Sequence, residues 1–349
     1  MAPLLEVHGL CVSVKKEDKL LKILDNISFY IDEGEILGLA GESGCGKTMT
    51  ALSIANLLPS CVKISEGIIL FNNKSLRPLS EKEMCGIRGS EISYIFQDVR
   101  QALNPLIKVG KQITEVLELK EKKAPTDLVH GFGPRIFTDF HNYSKIRARN
   151  RQLAIELLES LGFTNTEKVF NAYPHQLSGG MCQRIMTAIA VIANPKLLIA
   201  DEPSSSLDEE SQKKSLSYLM EMNQTQKTSL LLISHDLSII QKYCTRFIIM
   251  YAGKIIEEGP ADMLFSPLHP YTLALINAIP NKEKRGTDLK GIGGKVPSVD
   301  VRLTGCPFAP RCPKVQNICK QVFPPVMEDT QKNRKVYCYF PSELHGGIN

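Results

Sequence analysis

An apolar run that ends in a glycine-rich turn constrains this chain more than any other stretch. Leu37-Gly-Leu-Ala leads into Gly41-Glu-Ser-Gly-Cys-Gly46, and Lys47-Thr48 opens a helical pattern that continues to Leu58. The spacing is G-x-x-x-x-G-K-[ST]. Small residues let successive backbone N–H groups curl around a phosphate chain, and a helix N-terminus adds free donors and a positive partial charge. In that arrangement Gly41, Ser43, Gly44, Cys45 and Gly46 cradle phosphates. Lys47 reaches the β- and γ-phosphates, and the Thr48 hydroxyl ligates Mg²⁺. With a strand before it and a helix after it, the stretch is poorly explained as a chance glycine-rich turn.

Length and composition allow a real core. At 349 residues the chain can form two or three domains, with ordinary apolar and charged fractions of 43% and 23%. The net charge of +5 is spread along the sequence and does not demand nucleic acid. No apolar run is long enough to span a bilayer: the longest, around Ile185 to Ala200, is broken by Asn194-Pro-Lys196. Met1 to Leu10 lacks the layout of a secretion signal, so a cytosolic chain with reduced or metal-bound cysteines is expected. Cys11, Cys45, Cys61, Cys85, Cys182 and Cys244 are scattered and read as small packing residues.

In chain order, Leu4–Val14 and Ile23–Ile31 alternate as half-buried antiparallel strands do. Gly67–Phe71 reads as a strand before an Asn72-Asn73 hairpin turn, and Ile92–Phe96 as a strand ending at Gln97. Helical spacing marks Val109–Leu119 and Gln152–Leu161. The basic, aromatic stretch from Lys120 to Asn150 has no clear period and reads as an inserted loop or short helices. An α/β alternation then returns: helix Gly180–Ala193, strand Lys196–Ala200, helix Glu209–Met222, strand Ser229–Ile233, and a hairpin about Ala252-Gly253. Such alternation implies a mostly parallel sheet with its site at the carboxyl edge of the strands. After Ala278 the chain is rich in Pro, Gly and Cys. A boundary is expected near Phe265–Pro270, with a linker to about Gly294.

Two further stretches carry chemistry. Leu197-Leu-Ile-Ala-Asp201-Glu202 sets two acids at a strand end: Asp201 can hold Mg²⁺ while Glu202 orients or deprotonates an attacking water. Leu177-Ser-Gly-Gly180 opens a helix and makes a second anion-binding N-terminus. A single phosphate site does not need both devices, which points to sites shared across a dimer. Ser234-His235-Asp236 is not read as a nucleophilic triad, because sequence neighbours rarely converge on one reacting atom.

The order of phosphate loop, Gln97, Leu177-Ser-Gly-Gly180, Asp201-Glu202, Ser206-Leu-Asp208 and His235 resembles the nucleotide-binding subunit of ATP-binding cassette transporters. The likeness covers residues 4 to 260. It implies an α/β P-loop cassette with an antiparallel β subdomain and a helical subdomain at about 98–180. It also implies a head-to-tail dimer that sandwiches two ATP molecules with Mg²⁺. In that picture Ser178, Gly179 and Gly180 contact the γ-phosphate held by the partner's loop. Gln97 touches Mg²⁺ and couples to the membrane, His235 holds the γ-phosphate, and Asp208 lies at the dimer seam. Three positions depart from the pattern. Val14 stands where an aromatic residue usually stacks on adenine, Cys182 stands where a basic residue is common, and Lys120–Asn150 is longer than usual.

The remainder, 266–349, resembles the C-terminal extension of dipeptide, oligopeptide and nickel importer ATPases. The likeness lies in His269-Pro-Tyr-Thr272, Gly294-Lys-Val-Pro-Ser298 and Gly305-Cys-Pro-Phe-Ala-Pro-Arg-Cys-Pro313. Cys306, Cys312, Cys319 and Cys338 crowd into this short segment, which argues for a metal site. Zinc commonly uses tighter pairs, and the wide spacing suits a cluster with four thiolate corners; zinc and a metal-free or disulfide state stay open. The resemblance implies a [4Fe–4S] cluster. It further implies an ATPase at the cytoplasmic face of the membrane. That ATPase works with a second, different ATPase chain, two permease subunits and an extracytoplasmic solute-binding protein, and with no nucleic acid. The competing class is a soluble cassette ATPase of translation or DNA maintenance. Such proteins typically have two cassettes or a coiled-coil insertion, and this chain has neither. A P-loop kinase or switch GTPase would lack Leu177-Ser-Gly-Gly180.

Overall fold

The computed structural model describes residues 2–16, 19–121, 136–203, 209–279, 291–301 and 304–342. The chain divides into two compact units, Met1–Pro78 with Leu231–Asn349, and Leu79–Leu230.

The first unit opens with the alternating segments. Strands β1 (Leu5–Lys16) and β2 (Lys19–Ile31) pair antiparallel, with Leu5 opposite Ile31. β3 (Ile36–Ala40) then leads through the glycine turn into α1 (Lys47–Ile54). β4 (Val62–Phe71) covers the other edge of β1, and β5 (Lys74–Ser75) returns along β4. The turn between them works because Asn72 and Asn73 both take left-handed φ, 49° and 60°, which asparagine tolerates.

The second unit holds α2 (Glu81–Ile87), β6 (Ile92–Ile95), α3 (Val99–Ala102), α4 (Val109–Glu121), α5 (Ile136–Ser160), α6 (Thr166–Asn171), α7 (Gly179–Val191), β7 (Leu197–Asp201) and α8 (Glu209–Gln226). β6 and β7 pair in parallel, from Ile92–Leu197 to Ile95–Ala200. Every residue of β7 is buried, which is why it reads as an unbroken apolar run closed by an acid.

β8 (Ser229–Ile233) leads back into the first unit, followed by α9 (Leu237–Tyr243), β9 (Arg246–Tyr251), β10 (Lys254–Pro260) and α10 (Pro270–Ala278). α11 (Asn317–Gln321), β11 (Met327–Asp329) and β12 (Arg334–Val336) complete it. β9 lies parallel to β3, and β10 turns back on β9 around Ala252-Gly253, both left-handed. β12 adds to the free side of β10 and β11 to β12, so the strand order in this unit is β11-β12-β10-β9-β3-β8. Phe308 of the extension is buried with Tyr251 and Tyr271, ring centres 5.3 and 5.2 Å away. One core thus takes in β9, α10 and the cysteine-rich segment. Its rivet is Glu257, a fully buried carboxylate that accepts from Arg334 Nη2 at 2.8 Å and from the Leu268 and His269 amides at 2.8 and 2.9 Å.

Three expectations change. Residues 136–150, read as loop or short helices, belong to the continuous helix α5. Residues 144–149 are exposed there, so that stretch offers no apolar stripe for a period to reveal. Residues 122–135 lie outside the described residues. Cys61 and Cys85, read as packing residues, are exposed at the surface, unlike buried Cys11, Cys45 and Cys182. The extension forms two strands where no period was visible, because such three-residue strands gain their order from pairing, β12 on β10 and β11 on β12. All ten cysteines are free thiols, and no helix among the described residues is long and apolar enough to cross a membrane.

Candidate functional site

The phosphate loop keeps the backbone that its glycines allow. Gly41 has φ +150°, and a Cβ there would meet the Met250 carbonyl oxygen at 2.2 Å. Gly46, at φ +108°, lies against Leu24, where a Cβ would come within 2.5 Å. Ser43 and Gly44 form the exposed crest of the loop, Cys45 lies buried beneath it, and Thr48 sits one residue into α1. Burial holds the Cys45 thiol above its usual range. Lys47 is buried, and its ammonium donates to the Gly41 and Glu42 carbonyl oxygens at 2.8 and 3.1 Å. The lysine is thus held across the mouth of the loop by two neutral acceptors, which a phosphate oxygen can replace with a charged one.

In the second unit the two acids divide as the alternation of a strand requires. Asp201, the last residue of β7, is buried and accepts from the Tyr94 hydroxyl at 3.1 Å. Burial, with the Asp201 charge beside it, pushes the Tyr94 phenol well above its usual range, so the hydroxyl stays a donor. Glu202 takes φ +49°, a left-handed conformation uncommon outside glycine, asparagine and aspartate. Such backbone strain collects at functional sites. Its carboxylate accepts from Gln97 Nε2 at 3.0 Å, across 105 residues of sequence. The structure thus brings together Gln97 and Glu202, two residues singled out from widely separated stretches.

Ser178 caps α7 and accepts from the Met181 amide at 3.3 Å. Gly179 and Gly180 form the first turn, where helix amides have no partner within the helix. Cys182 is buried, its thiol donating to the Pro174 carbonyl at 3.5 Å.

His235 follows β8 and is exposed, unlike a packed structural histidine. Its neighbours serve the backbone: Ser234 Oγ accepts from the Asp236 amide, and Asp236 caps α9. They form no triad. Val14 pairs with Leu21 and Val62 in the antiparallel sheet. Asp208 lies outside the described residues.

The cysteines form a separate place in the first unit. Cys306, Cys312, Cys319 and Cys338 line one small cavity together with His269. Burial pushes the Cys306 and Cys338 thiols up to about 11 and raises Cys312 as well. Among the described residues no three His, Cys, Asp or Glu side chains come together as a metal ion needs, so the expected metal site, cluster or zinc, gains no support from this arrangement. The four thiols share the lining of that cavity, which is the arrangement of them the structure offers to a bound group. The Tyr271 amide donates to His269 Nδ1 at 3.0 Å, so the ring proton sits on Nε2, and Nε2 is buried with no protein partner. An unspent donor facing a thiol-lined cavity fits a sulfide-bearing group.

Sequence reasoning missed Tyr94, which holds Asp201, and Arg311 with Tyr271, which hold the phosphate loop. Nothing in a single sequence pairs residues so far apart.

Comparison with known proteins places the chain in a family. The family model described as ABC transporter matches residues 24–205, and the one described as oligopeptide/dipeptide transporter, C-terminal region, matches 256–319. The oligopeptide transport ATP-binding protein AppD of Bacillus subtilis is 40% identical over 345 residues, which cover 98% of each chain. The dipeptide transport ATP-binding protein DppD of Escherichia coli is 36% identical over 344 residues, again 98% of each. A dimeric ATP-binding cassette solved in a post-hydrolysis state with ADP and Pi superposes with a TM-score of 0.61. It is 24% identical and covers 74% of this chain and 98% of its own, and it supports the fold alone. The chain belongs to the ABC transporter family, as one of its ATPase subunits. Within that family it carries the C-terminal region of the oligopeptide/dipeptide branch.

Proposed function

We propose that this chain is the ATP-hydrolysing motor of a peptide importer, working at the cytoplasmic face of a membrane on separate permease chains. One observation carries the peptide assignment. Likeness to subunits named for oligopeptide and dipeptide transport runs through the cassette and the cysteine-rich extension alike. The relatives compared give nickel no comparable support.

The residues divide the chemistry as follows. Lys47 exchanges the Gly41 and Glu42 carbonyls for β- and γ-phosphate oxygens, and the loop amides from Gly41 to Gly46 surround the phosphates. Thr48, Asp201 and Gln97 serve Mg²⁺, and Tyr94 keeps Asp201 oriented. Glu202 takes the proton of the attacking water or aligns it; its carboxylate rests on the Gln97 amide until a water claims it. Exposed His235 binds the γ-phosphate. The amides of Gly179 and Gly180, with Ser178, complete the site of a second ATPase chain, and Asp208 lies at that seam. The second chain is a different polypeptide, and a solute-binding protein delivers the cargo.

Cys306, Cys312, Cys319 and Cys338 would hold a [4Fe–4S] cluster, which when bound supplies a redox-active, cross-linked core to the extension. The four-thiol cavity and the unspent His269 donor support this reading. Affinity purification of the chain from its own membranes tests the whole assignment. Two polytopic permeases and a second cassette should co-purify, and association with ribosomes or DNA instead would overturn it.

A further inference from the structure

We propose that Arg311, a residue of the C-terminal extension, is a positioning residue for the phosphate loop. The proposal rests on the reading of Gly41–Thr48 as the nucleotide site. Arg311 lies 269 residues from Glu42, yet its guanidinium grips that carboxylate with both prongs: Nη1 to Oε2 at 2.7 Å and Nη2 to Oε1 at 3.0 Å. The remaining bonds run from Nη1 to the Tyr251 hydroxyl at 3.1 Å, from Nη2 to the Ile292 carbonyl at 3.0 Å, and from Nε to the Gly293 carbonyl at 2.7 Å. A guanidinium has five N–H donors, and all five are used. The side chain is only 4% exposed.

Glu42 is the second residue of the loop and is held at every polar group. Its carboxylate meets Arg311, its amide donates to the Tyr271 hydroxyl at 2.8 Å, and its carbonyl accepts from Lys47 at 3.1 Å. The two tyrosines cannot drift, because Tyr251 and Tyr271 lie 4.5 Å apart ring to ring, both against Phe308. A continuous path therefore runs from the extension, through one loop residue, to the lysine that binds phosphate. Charge supports the same role. Without Arg311, the Glu42 carboxylate would face an incoming polyphosphate uncompensated. An arginine used merely to anchor the extension would spend its fork on the extension's own carbonyls; here the fork goes to the loop and only single donors go to Ile292 and Gly293. Lysine could not substitute, since one ammonium with three donors cannot bridge both carboxylate oxygens and the other partners.

Calorimetric binding of MgATP and MgADP to the full-length chain tests this. Arg311→Ala should weaken both by about tenfold, the effect of one lost charge-assisted pair. Arg311→Lys should keep the charge and still lose about threefold or more, because the fork is gone. Adding Glu42→Gln to Arg311→Ala should regain part of the loss, since the uncompensated carboxylate facing the polyphosphate is gone. In the assembled transporter, Arg311→Ala should raise KM for ATP while kcat changes far less. MgATP affinity within twofold of wild type for both Arg311 variants, with faster proteolysis of the extension, would reduce Arg311 to an anchor and overturn the proposal. If the alanine variant fails to fold, the lysine variant decides alone. Lys47→Ala separates the two readings: undiminished MgATP binding there would overturn the nucleotide site itself, whatever Arg311 does.

Discussion

The Tyr94 hydroxyl donates to Asp201 Oδ2 at 3.1 Å, joining the middle of β6 to the acid that closes the neighbouring parallel strand β7. Asp201 is buried, so each donor it keeps offsets a large desolvation cost. Tyr94→Phe removes that donor with little change in shape. The expected loss is about 1–3 kcal/mol of stability. Urea unfolding measures it; an unchanged midpoint would mean that Asp201 does not depend on Tyr94.

Arg334 and Glu257 form an ion pair at 2.8 Å, with side chains 5% and 0% exposed. Arg334→Met leaves a buried carboxylate whose charge has lost its partner, a change that costs about 3–5 kcal/mol. The double variant Arg334→Met/Glu257→Gln should cost less than Arg334→Met alone, because the orphaned charge is gone. Chemical unfolding of the three proteins checks the order.

Asp25 ties β2 to β10 through Lys254 at 2.6 Å. Burial works against its ionisation, yet hydrogen bonds from Lys254 and Lys22 outweigh it and hold the carboxyl below its usual range. A depressed folded pKa favours the native state above the unfolded value of about 3.9 and loses that advantage as pH falls through the folded value. The stability gap between wild type and Asp25→Asn should therefore be full at neutral pH and shrink as pH falls below the unfolded value. Thermal melts across that range test the sign, and a gap that widens on acidification would refute it.

Protein purified without oxygen should be brown and carry iron with acid-labile sulfide. Replacing Cys312 or Cys338 with Ser should bleach it and leave the extension more open to protease. Colourless protein with stoichiometric zinc would contradict the cluster.

Local devices were legible in the sequence and long-range ones were not. The loop from Gly41 to Thr48 declares itself because spacing alone defines a phosphate cradle. Asp201 and Glu202 declare themselves because two acids end an apolar strand in a chain that also carries the phosphate loop. The hairpin turns at Asn72-Asn73 and Ala252-Gly253 were readable from residues that accept left-handed φ. The stretch 144–149 of α5 was not, since its exposed residues carry no period. The grip of Arg311 on Glu42 was invisible for a different reason: it depends on how a Pro-rich extension folds back, which no spacing records.

Glu202 carries the central claim, that hydrolysis at this site drives transport. In the proposed function it handles the attacking water, a reading that its left-handed backbone and its bond to Gln97 support. The decisive measurement compares ATP hydrolysis and labelled-peptide uptake in the same vesicles, with the full transporter carrying either wild-type chain or Glu202→Gln. Loss of a general base should cut both rates by about a hundredfold or more while MgATP stays bound. Hydrolysis near the wild-type rate in the variant, or uptake that continues without it, would contradict the account.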